Sequence, residues 1–317
     1  MHTRTRTSTG SRLTRSPSIS DRTRAAARAA LTVAQLAVNA HRRPLPSPLP
    51  LVSVIVPTYN WSGVLRHAVR SALAQSYPNL EVTVVGDACT DDSEEVVAAI
   101  GDPRLRWENL GRNSGSQSLP NNRGLELARG EYVAYLGHDD LWHRDHLVHL
   151  VAAVQRGPGS LGIATALALG PPGSNVRVLV TGLPTTPSAA LHRRDAIERA
   201  GAWRDFRTIV ATPDTEFFGR VAQTEGVVHS GALTVWKFNS AWRRDSYVTR
   251  RDDEQALYSR RLREERLLVE RELGAWLRLR LSRRQPELPA LDPVPDVVPP
   301  GWYVRQFRKV RGLAEEP

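Results

Sequence analysis

Two adjacent carboxylates, Asp139 and Asp140, follow a short apolar run in the middle of the chain. The run from Tyr132 to Leu136 is typical of a buried strand, and it ends at Gly137. Neighbouring carboxylates repel each other unless hydrogen bonds or a cation hold them, and a hard divalent ion that also binds phosphates is one such cation. A structural interpretation is equally open here, because an Asp before Leu141 could cap a helix.

Two further apolar runs end in polar loops. Residues 51–56 precede Thr58-Tyr59-Asn60, and residues 80–85 precede a loop that contains Asp87. The spacing predicts a third short strand at 105–109 and helices at 64–75, 94–100 and 122–128. This alternation of strands and helices predicts an α/β fold with a doubly wound, mostly parallel, Rossmann-like sheet. Ligands of such sheets lie beyond the carboxyl ends of the strands, so the three polar loops should form one site.

Several classes of protein are excluded or disfavoured by what the sequence lacks. No Gly-x-Gly-x-x-Gly or Walker motif follows the first strand, which disfavours a dinucleotide or P-loop site. The single cysteine, Cys89, excludes an internal disulfide framework and a structural zinc cluster of cysteines. No run of 18 apolar residues predicts a membrane span. We therefore expect a cytoplasmic protein.

The formal net charge of +10 is concentrated in the tails. Residues 1–50 contain nine Arg and one Asp, whereas residues 51–245 have a net charge of −1. Because acidic and basic residues nearly balance over residues 51–245, this region lacks the basic face of a nucleic-acid-binding domain. We therefore expect no nucleic-acid partner. The Arg-rich tail fits a solvated extension, a transit peptide or a basic surface that touches anionic lipid. The last alternative would place the protein at the cytoplasmic membrane surface.

Composition predicts three parts. Residues 1–50 should be a basic, largely disordered extension that ends in a Pro-rich linker, with a helix at 21–43. Residues 51–245 should form the folded domain, and residues 246–317 a helical and Pro-rich appendage with one long charged helix at 251–284. The basic amphipathic segment at 302–311 could contact a membrane, a partner or the domain itself.

The motifs, taken in order, resemble the nucleotide-sugar-binding half of the family 2 inverting glycosyltransferases, which have a GT-A fold. The resemblance rests on Val-Ser-Val-Ile-Val-Pro-Thr-Tyr-Asn at 52–60, Gly-Asp-Ala-Cys-Thr-Asp-Asp-Ser at 86–93, Asn113-x-Gly115, Asn122-Arg-Gly, and Gly-Glu-Tyr-Val-Ala-Tyr-Leu-Gly-His-Asp-Asp at 130–140. It is strong over residues 51–150, the nucleotide-sugar half, and extends more loosely to about residue 225 of the acceptor half, residues 151–245.

The resemblance implies a role for each matching position. The donor nucleotide-sugar would contact Pro57, Thr58, Tyr59, Asp87, Asn113, Asn122 and Asp139. Asp139 and Asp140 would hold Mg²⁺ or Mn²⁺. In the second half, the segment that begins Pro213-Asp214 resembles the acceptor-facing motif, so Asp214 would be the catalytic general base. A cap for the following helix is the alternative for Asp214.

The resemblance thus implies a metal-dependent inverting hexosyltransferase that moves a sugar to a hydroxyl acceptor. The acceptor could be a small molecule, a glycan or a lipid-linked glycan, as in the assembly of cell-envelope polysaccharide. Trp236, Phe238 and Trp242 flank Lys237 and could pack in the core or form an acceptor wall. Gly137 and Pro213 stand where the family more often has acids. They favour the alternative of a non-catalytic nucleotide-sugar-binding module, and the Arg-rich tail favours a membrane- or nucleic-acid-associated protein.

Overall fold

The computed structural model describes residues 19–39, 44–174, 176–282 and 292–317. Its elements up to the acidic pair are α1 (Ile19–Asn39), β1 (Val52–Thr58), α2 (Ser62–Leu73), β2 (Leu80–Gly86), α3 (Ser93–Ala98), β3 (Leu105–Asn109), α4 (Ser118–Leu127) and β4 (Tyr132–Tyr135). The elements that follow are β5 (Leu141–Trp142), α5 (His146–Arg156), β6 (Leu161–Leu169), β7 (Arg177–Val180), β8 (Ala190–Arg193), α6 (Ala196–Ala200), α7 (Pro213–Glu225), β9 (Val227–Phe238), α8 (Ser246–Thr249), α9 (Asp253–Glu264), α10 (Leu268–Ser282) and α11 (Trp302–Val310). Predictions for residues 1–18, 40–43 and 283–291 lie outside the described residues.

The first four strands form a parallel sheet, as the apolar runs predict. β1 lies between β2 and β4, and β3 pairs with the outer edge of β2. All seven residues of β2 and all four of β4 are buried, which is typical of parallel strands covered on both faces. The register pairs Thr58 with Gly86 and Ile55 with Tyr135. The loops that follow these three strands therefore meet at one edge of the sheet.

The second half extends the same sheet with mixed strand directions. β8 pairs antiparallel with β4, and β6 pairs antiparallel with β8 but parallel with the long strand β9. β5, which directly follows the acidic pair, pairs antiparallel with the end of β9. Within the described part of the chain, the sheet order is β3-β2-β1-β4-β8-β6-β9-β5, with β7 on β6. The predicted α/β fold is confirmed.

The terminal helices pack on this domain. α1 lies against α10 and β9, and the Asn39 side-chain amide donates to the Gly231 carbonyl at 2.6 Å. The long helix predicted at 251–284 is instead two helices, α9 and α10, with a turn at 265–267. The Glu265 carboxylate accepts from Arg261 on one side of the turn and from Arg271 on the other, which stabilises the break. No helix among the described residues is both long and apolar enough to cross a membrane.

Candidate functional site

A cavity of about 400 Å³ opens at the carboxyl ends of β1, β2 and β4. Its volume lies within the range of about 300–1,000 Å³ that is typical of small-molecule sites. The structure brings eight predicted site residues into its lining, namely Pro57, Thr58, Tyr59, Asp87, Asn113, Asp139, Asp140 and Asp214. The three polar loops and the start of α7 thus meet in one place, as the sequence predicts.

Asp87 organises one end of the cavity. Its backbone N–H donates to the Thr58 carbonyl at 2.8 Å, which fixes the loop after β2 beside the end of β1. Its carboxylate accepts from the backbone N–H of Ser114 at 2.8 Å and of Gly115 at 3.2 Å. Burial raises the pKa of Asp87, while these hydrogen bonds oppose the rise. Asp87 therefore holds the 113–117 loop as one wall of the cavity and has further lone pairs that can accept from a ligand.

The two asparagines predicted to contact the donor have different surroundings. Asn113 lines the cavity, and its side-chain oxygen accepts from the Gly115 N–H at 2.7 Å. Asn122 does not line this cavity. Its side chain makes a reciprocal pair of hydrogen bonds with the backbone of Trp203, at 2.8 and 2.9 Å. That pair holds α4 against the 203 loop, so Asn122 supports the fold at this point.

His138 links the loop after β1 to the segment after β9. One ring nitrogen, Nδ1, lies 2.8 Å from the Thr58 hydroxyl, and the other, Nε2, lies 3.1 Å from the Tyr247 hydroxyl. Burial lowers the pKa of His138, so the imidazole is neutral near pH 7. Tyr247 also contacts the rings of Tyr59 and Trp61, with centroids 6.2 and 5.2 Å away. These aromatic contacts shape an apolar wall next to Asp87.

Asp140 is held by three donors of the protein. Its Oδ2 accepts from the Ser188 hydroxyl at 2.5 Å and from the Lys237 ammonium at 3.3 Å. Its Oδ1 accepts from the Phe238 N–H at 3.0 Å. The next residues, Leu141 and Trp142, form β5 rather than a helix, so Asp140 does not cap one. Asp140 thus ties the end of β4 to β9.

Lys237 is the cation of this acidic cluster. Burial opposes its positive charge, but Asp140, Asp139 and Asp214 favour that charge and raise the pKa of Lys237 above its usual value. The positive charge of Lys237 offsets the repulsion between Asp139 and Asp140, which explains how these adjacent acids coexist in a buried position. The same ammonium offers positive charge at the place where the resemblance expects phosphates.

Asp139 is the acid available to a metal ion. It lies in the cavity lining and is 8% exposed, whereas Asp140 already binds Lys237 and Ser188. Among the described residues, no group of three or more His, Cys, Asp or Glu side chains could hold a metal ion by itself. Mg²⁺ is commonly held by one or two carboxylates together with substrate phosphates. The residues present therefore fit a divalent ion that would be bound jointly by Asp139 and the donor.

Asp214 reaches the cavity from the first turn of α7. This helix has Thr212 at its N-cap position, and Pro213 occupies the first turn. The Asp214 carboxylate lines the cavity and accepts from the Thr215 N–H at 3.0 Å. The neighbouring acid, Glu216, points elsewhere and pairs with Arg220 and Arg204. Asp214 is thus the acid of this motif that faces the site.

Several residues of the lining were not predicted as site residues. Lys237 and Ser188 bind Asp140, Tyr247 binds His138, and Arg308 of α11 and Arg311 at its C-cap line the cavity. Of the aromatic trio, Trp236 and Phe238 are buried in the core, whereas Trp242 lines the cavity. The sequence contains a signal that could have identified the two arginines. Residues 304, 307, 308 and 311 follow helical spacing and so form one face of α11 and its C-cap.

Comparison with known proteins relates part of the chain to glycosyltransferases. Residues 53–178 match the family described as Glycosyl transferase family 2. A segment of the chain is 40% identical over 100 residues to the putative teichuronic acid biosynthesis glycosyltransferase TuaG of Bacillus subtilis, covering 31% of this chain and 39% of TuaG. A segment is 39% identical over 103 residues to the succinoglycan biosynthesis protein ExoO of Rhizobium meliloti, covering 32% of this chain and 29% of ExoO. The match spans well under half the length of each of these relatives.

The fold also resembles a solved structure. The structure of S. aureus TarS 1-349 aligns with a TM-score of 0.51 and 19% identity, over 73% of this chain and 72% of that chain. The same fragment in complex with UDP-GlcNAc aligns with a TM-score of 0.51 and 22% identity, over 59% of this chain and 58% of that chain. At this level of identity the likeness establishes the α/β fold of GT-A type.

Proposed function

We propose that this chain, whose residues 53–178 match the family described as Glycosyl transferase family 2, transfers a sugar from a nucleotide-sugar donor to a hydroxyl acceptor with inversion at the anomeric carbon. The observation that carries this proposal is the cavity itself. One cavity is lined by Tyr59 and Asp87, by the acidic pair and by Asp214 at the start of α7. Each is a residue type that one part of the reaction requires.

Donor binding would use the end of the cavity near Asp87. The Tyr59 ring offers an apolar face to a nucleobase, and the Asp87 carboxylate can accept from a base N–H. The hydrogen bonds from Ser114 and Gly115 hold this carboxylate in place before the donor arrives. Preorganised acceptors of this kind lose little entropy on binding.

The diphosphate would lie beside the acidic pair. Asp139 would hold Mg²⁺ or Mn²⁺, and the bound ion would stabilise the negative charge that the leaving nucleoside diphosphate acquires. Lys237 supplies a second positive charge from the protein, because its pKa is raised by the surrounding carboxylates. Asp140 orients this ammonium through Oδ2 and remains fixed by the Phe238 N–H.

Asp214 would act as the general base. A carboxylate within about 3 Å of the acceptor hydroxyl can take its proton as the oxygen attacks the anomeric carbon. Attack from the face opposite the leaving diphosphate inverts that carbon. Trp242 lines the same cavity and offers a ring on which an acceptor sugar could stack.

The acceptor we propose is a growing polysaccharide of the cell envelope. The relatives named for teichuronic acid and succinoglycan biosynthesis support this class of acceptor. We keep the predicted three-part division of the chain. Its Arg-rich residues 1–50 favour contact with the cytoplasmic membrane surface, where a lipid-linked glycan would be presented.

A panel of nucleotide sugars tests the proposal. Purified protein is incubated with UDP-, GDP- and dTDP-sugars, with Mn²⁺ or with chelator, and release of the nucleoside diphosphate is measured. We expect slow release from one donor class, dependent on the metal and reduced at least 100-fold in Asp139→Asn. The matched control is Asp195→Asn, which removes an acid that pairs with Arg193 outside the cavity.

Two results would contradict the transferase proposal. Tight donor binding without any release, even with a polysaccharide acceptor present, would favour the non-catalytic binding module. The Lys237–Asp140 ion pair is the observation in favour of that second candidate, because it occupies one acid of the pair. A failure to bind any nucleotide sugar would contradict both candidates.

A further inference from the structure

The C-terminal strap, which we define as residues 301–317, forms one wall of the candidate donor cavity. It consists of α11 and the segment that follows it. Val304, Phe307, Arg308 and Arg311 repeat at helical spacing on one face of α11 and its C-cap, and all four line the cavity. Leu313 extends this wall beyond the helix. Residues nearly 200 positions away from the loop at 113–117 therefore complete the pocket.

The strap is fixed to the domain at two points. At the end of α11, the Asp245 N–H donates to the Val310 carbonyl at 2.8 Å, and the Tyr247 N–H donates to the Arg311 carbonyl at 3.1 Å. Near the chain terminus, Glu316 pairs with Arg207 of the domain at 3.0 Å and with Arg305 of α11 at 2.8 Å. These contacts place the arginines of the strap at defined positions.

Arg308 anchors the strap to the loop beside Asp87. It is 6% exposed, its Nη1 donates to the Gly115 carbonyl at 3.0 Å and its Nε donates to the Ala314 carbonyl at 2.7 Å. Asp87 holds the same loop from the other side through the Ser114 and Gly115 N–H groups. Arg308 therefore has a positioning role at the base end of the cavity.

Arg311 has different surroundings. It lines the cavity, and its positive charge acts on His138 and Tyr247. Its Nε is buried and makes no hydrogen bond to any described residue. His138 directly precedes Asp139, and Tyr247 contacts Tyr59, so Arg311 shares the cavity lining with residues of both the base end and the acidic pair. A diphosphate that joins a base near Tyr59 to a sugar near Asp139 would pass this point.

We propose that Arg311 binds the diphosphate of the donor, and this assignment rests on the proposed function. The cavity contains four carboxylates, Asp87, Asp139, Asp140 and Asp214, and Lys237 is already paired with Asp140. A phosphate anion needs additional positive charge in such surroundings. An arginine presents a planar fork of N–H donors that matches phosphate oxygens, and a buried donor without a partner gains most from such a ligand.

Binding measurements on single variants of full-length protein test this assignment. Isothermal titration calorimetry compares UDP and GDP with uridine and guanosine in wild type, Arg311→Ala and Arg311→Lys. We expect Arg311→Ala to weaken diphosphate binding by about 10- to 100-fold and to leave nucleoside binding unchanged, because the lost hydrogen bonds reach only the phosphates. Arg311→Lys should retain part of the affinity. The control is Lys309→Ala, which removes one charge from the outer face of the same helix, where Lys309 pairs with Asp292.

The outcomes separate this assignment from the proposed function. Wild-type protein that binds UDP or GDP, together with an Arg311→Ala variant of equal affinity, would overturn the role of Arg311 alone. Equal losses for the nucleoside and the diphosphate would overturn it too, because they would indicate a displaced strap. Wild-type protein that binds neither diphosphate would overturn the proposed function and the assignment that depends on it.

Discussion

Replacing Lys237 by Met should destabilise the protein while preserving most of the side-chain volume. The Lys237 ammonium lies 3.3 Å from Asp140 Oδ2, and Asp140 is 1% exposed. Removing one partner of a buried ion pair costs about 3–5 kcal/mol, because the remaining charge stays buried. Here the Lys237 side chain is 23% exposed, and Ser188 and Phe238 still donate to Asp140. We therefore expect a loss of about 2–3 kcal/mol, at or just below the lower limit of that range.

Urea unfolding followed by tryptophan fluorescence measures this loss, since the chain contains eight tryptophans. The midpoint should fall with an unchanged m-value, which indicates lost stability rather than a changed unfolded state. Adding Asp140→Asn to Lys237→Met should recover about 1 kcal/mol or more, because the double variant no longer buries that carboxylate without its cation.

The matched control is Lys309→Met. Lys309 pairs with Asp292, and both side chains are about half exposed, so its removal should cost less than about 1 kcal/mol. If Lys237→Met and Lys309→Met unfold at the same urea concentration, the Lys237–Asp140 pair does not stabilise the site, and the reasoning about the acidic cluster is wrong.

Three further predictions follow from the same site and core. Asp214→Asn should lower kcat by about 100- to 10,000-fold and leave donor affinity unchanged, whereas a loss below tenfold would exclude it as the base. Mn²⁺ should raise the Tm of Lys237→Met more than that of wild type, because the ion would replace the missing ammonium among the carboxylates; an equal shift in thermal scans would contradict this. Burial lowers the pKa of His192 from 6.5 to about 4. Stability should therefore be unaffected by this residue above pH 6.5 and should fall as the pH drops towards 4, by at most about 1.4 kcal/mol per pH unit, because only the unfolded state takes up the proton. His192→Phe should show a shallower pH dependence of unfolding, and identical slopes would contradict the burial argument.

The parallel half of the fold was predictable because its strands are buried on both faces. An apolar run that ends in a polar loop marks both the strand and the sheet edge, and β3 has the predicted bounds of Leu105–Asn109. The helix α4 begins at Ser118, four positions before the prediction, because Pro120 lies in its first turn, where proline needs no hydrogen-bond partner. Local sequence patterns are sufficient for this region since each element is recognisable without its neighbours.

The rest depended on contacts between distant parts of the chain. A helix directly after Asp140 was a reasonable prediction from sequence, but Leu141 and Trp142 pair with β9 almost 100 residues later. No local pattern specifies that Lys237 meets Asp140 or that Arg311 returns to the cavity from the end of the chain. The turn that divides α9 from α10 is similarly set by Glu265, which binds an arginine from each helix.

A co-crystal structure with the nucleoside diphosphate that binds most tightly tests the central claim most directly. We expect the base beside Tyr59 and within hydrogen-bonding distance of Asp87, with the diphosphate between Arg311 and Asp139. A nucleotide bound elsewhere would contradict it, for example in the neighbouring cavity lined by Arg112, Asn122 and Arg207.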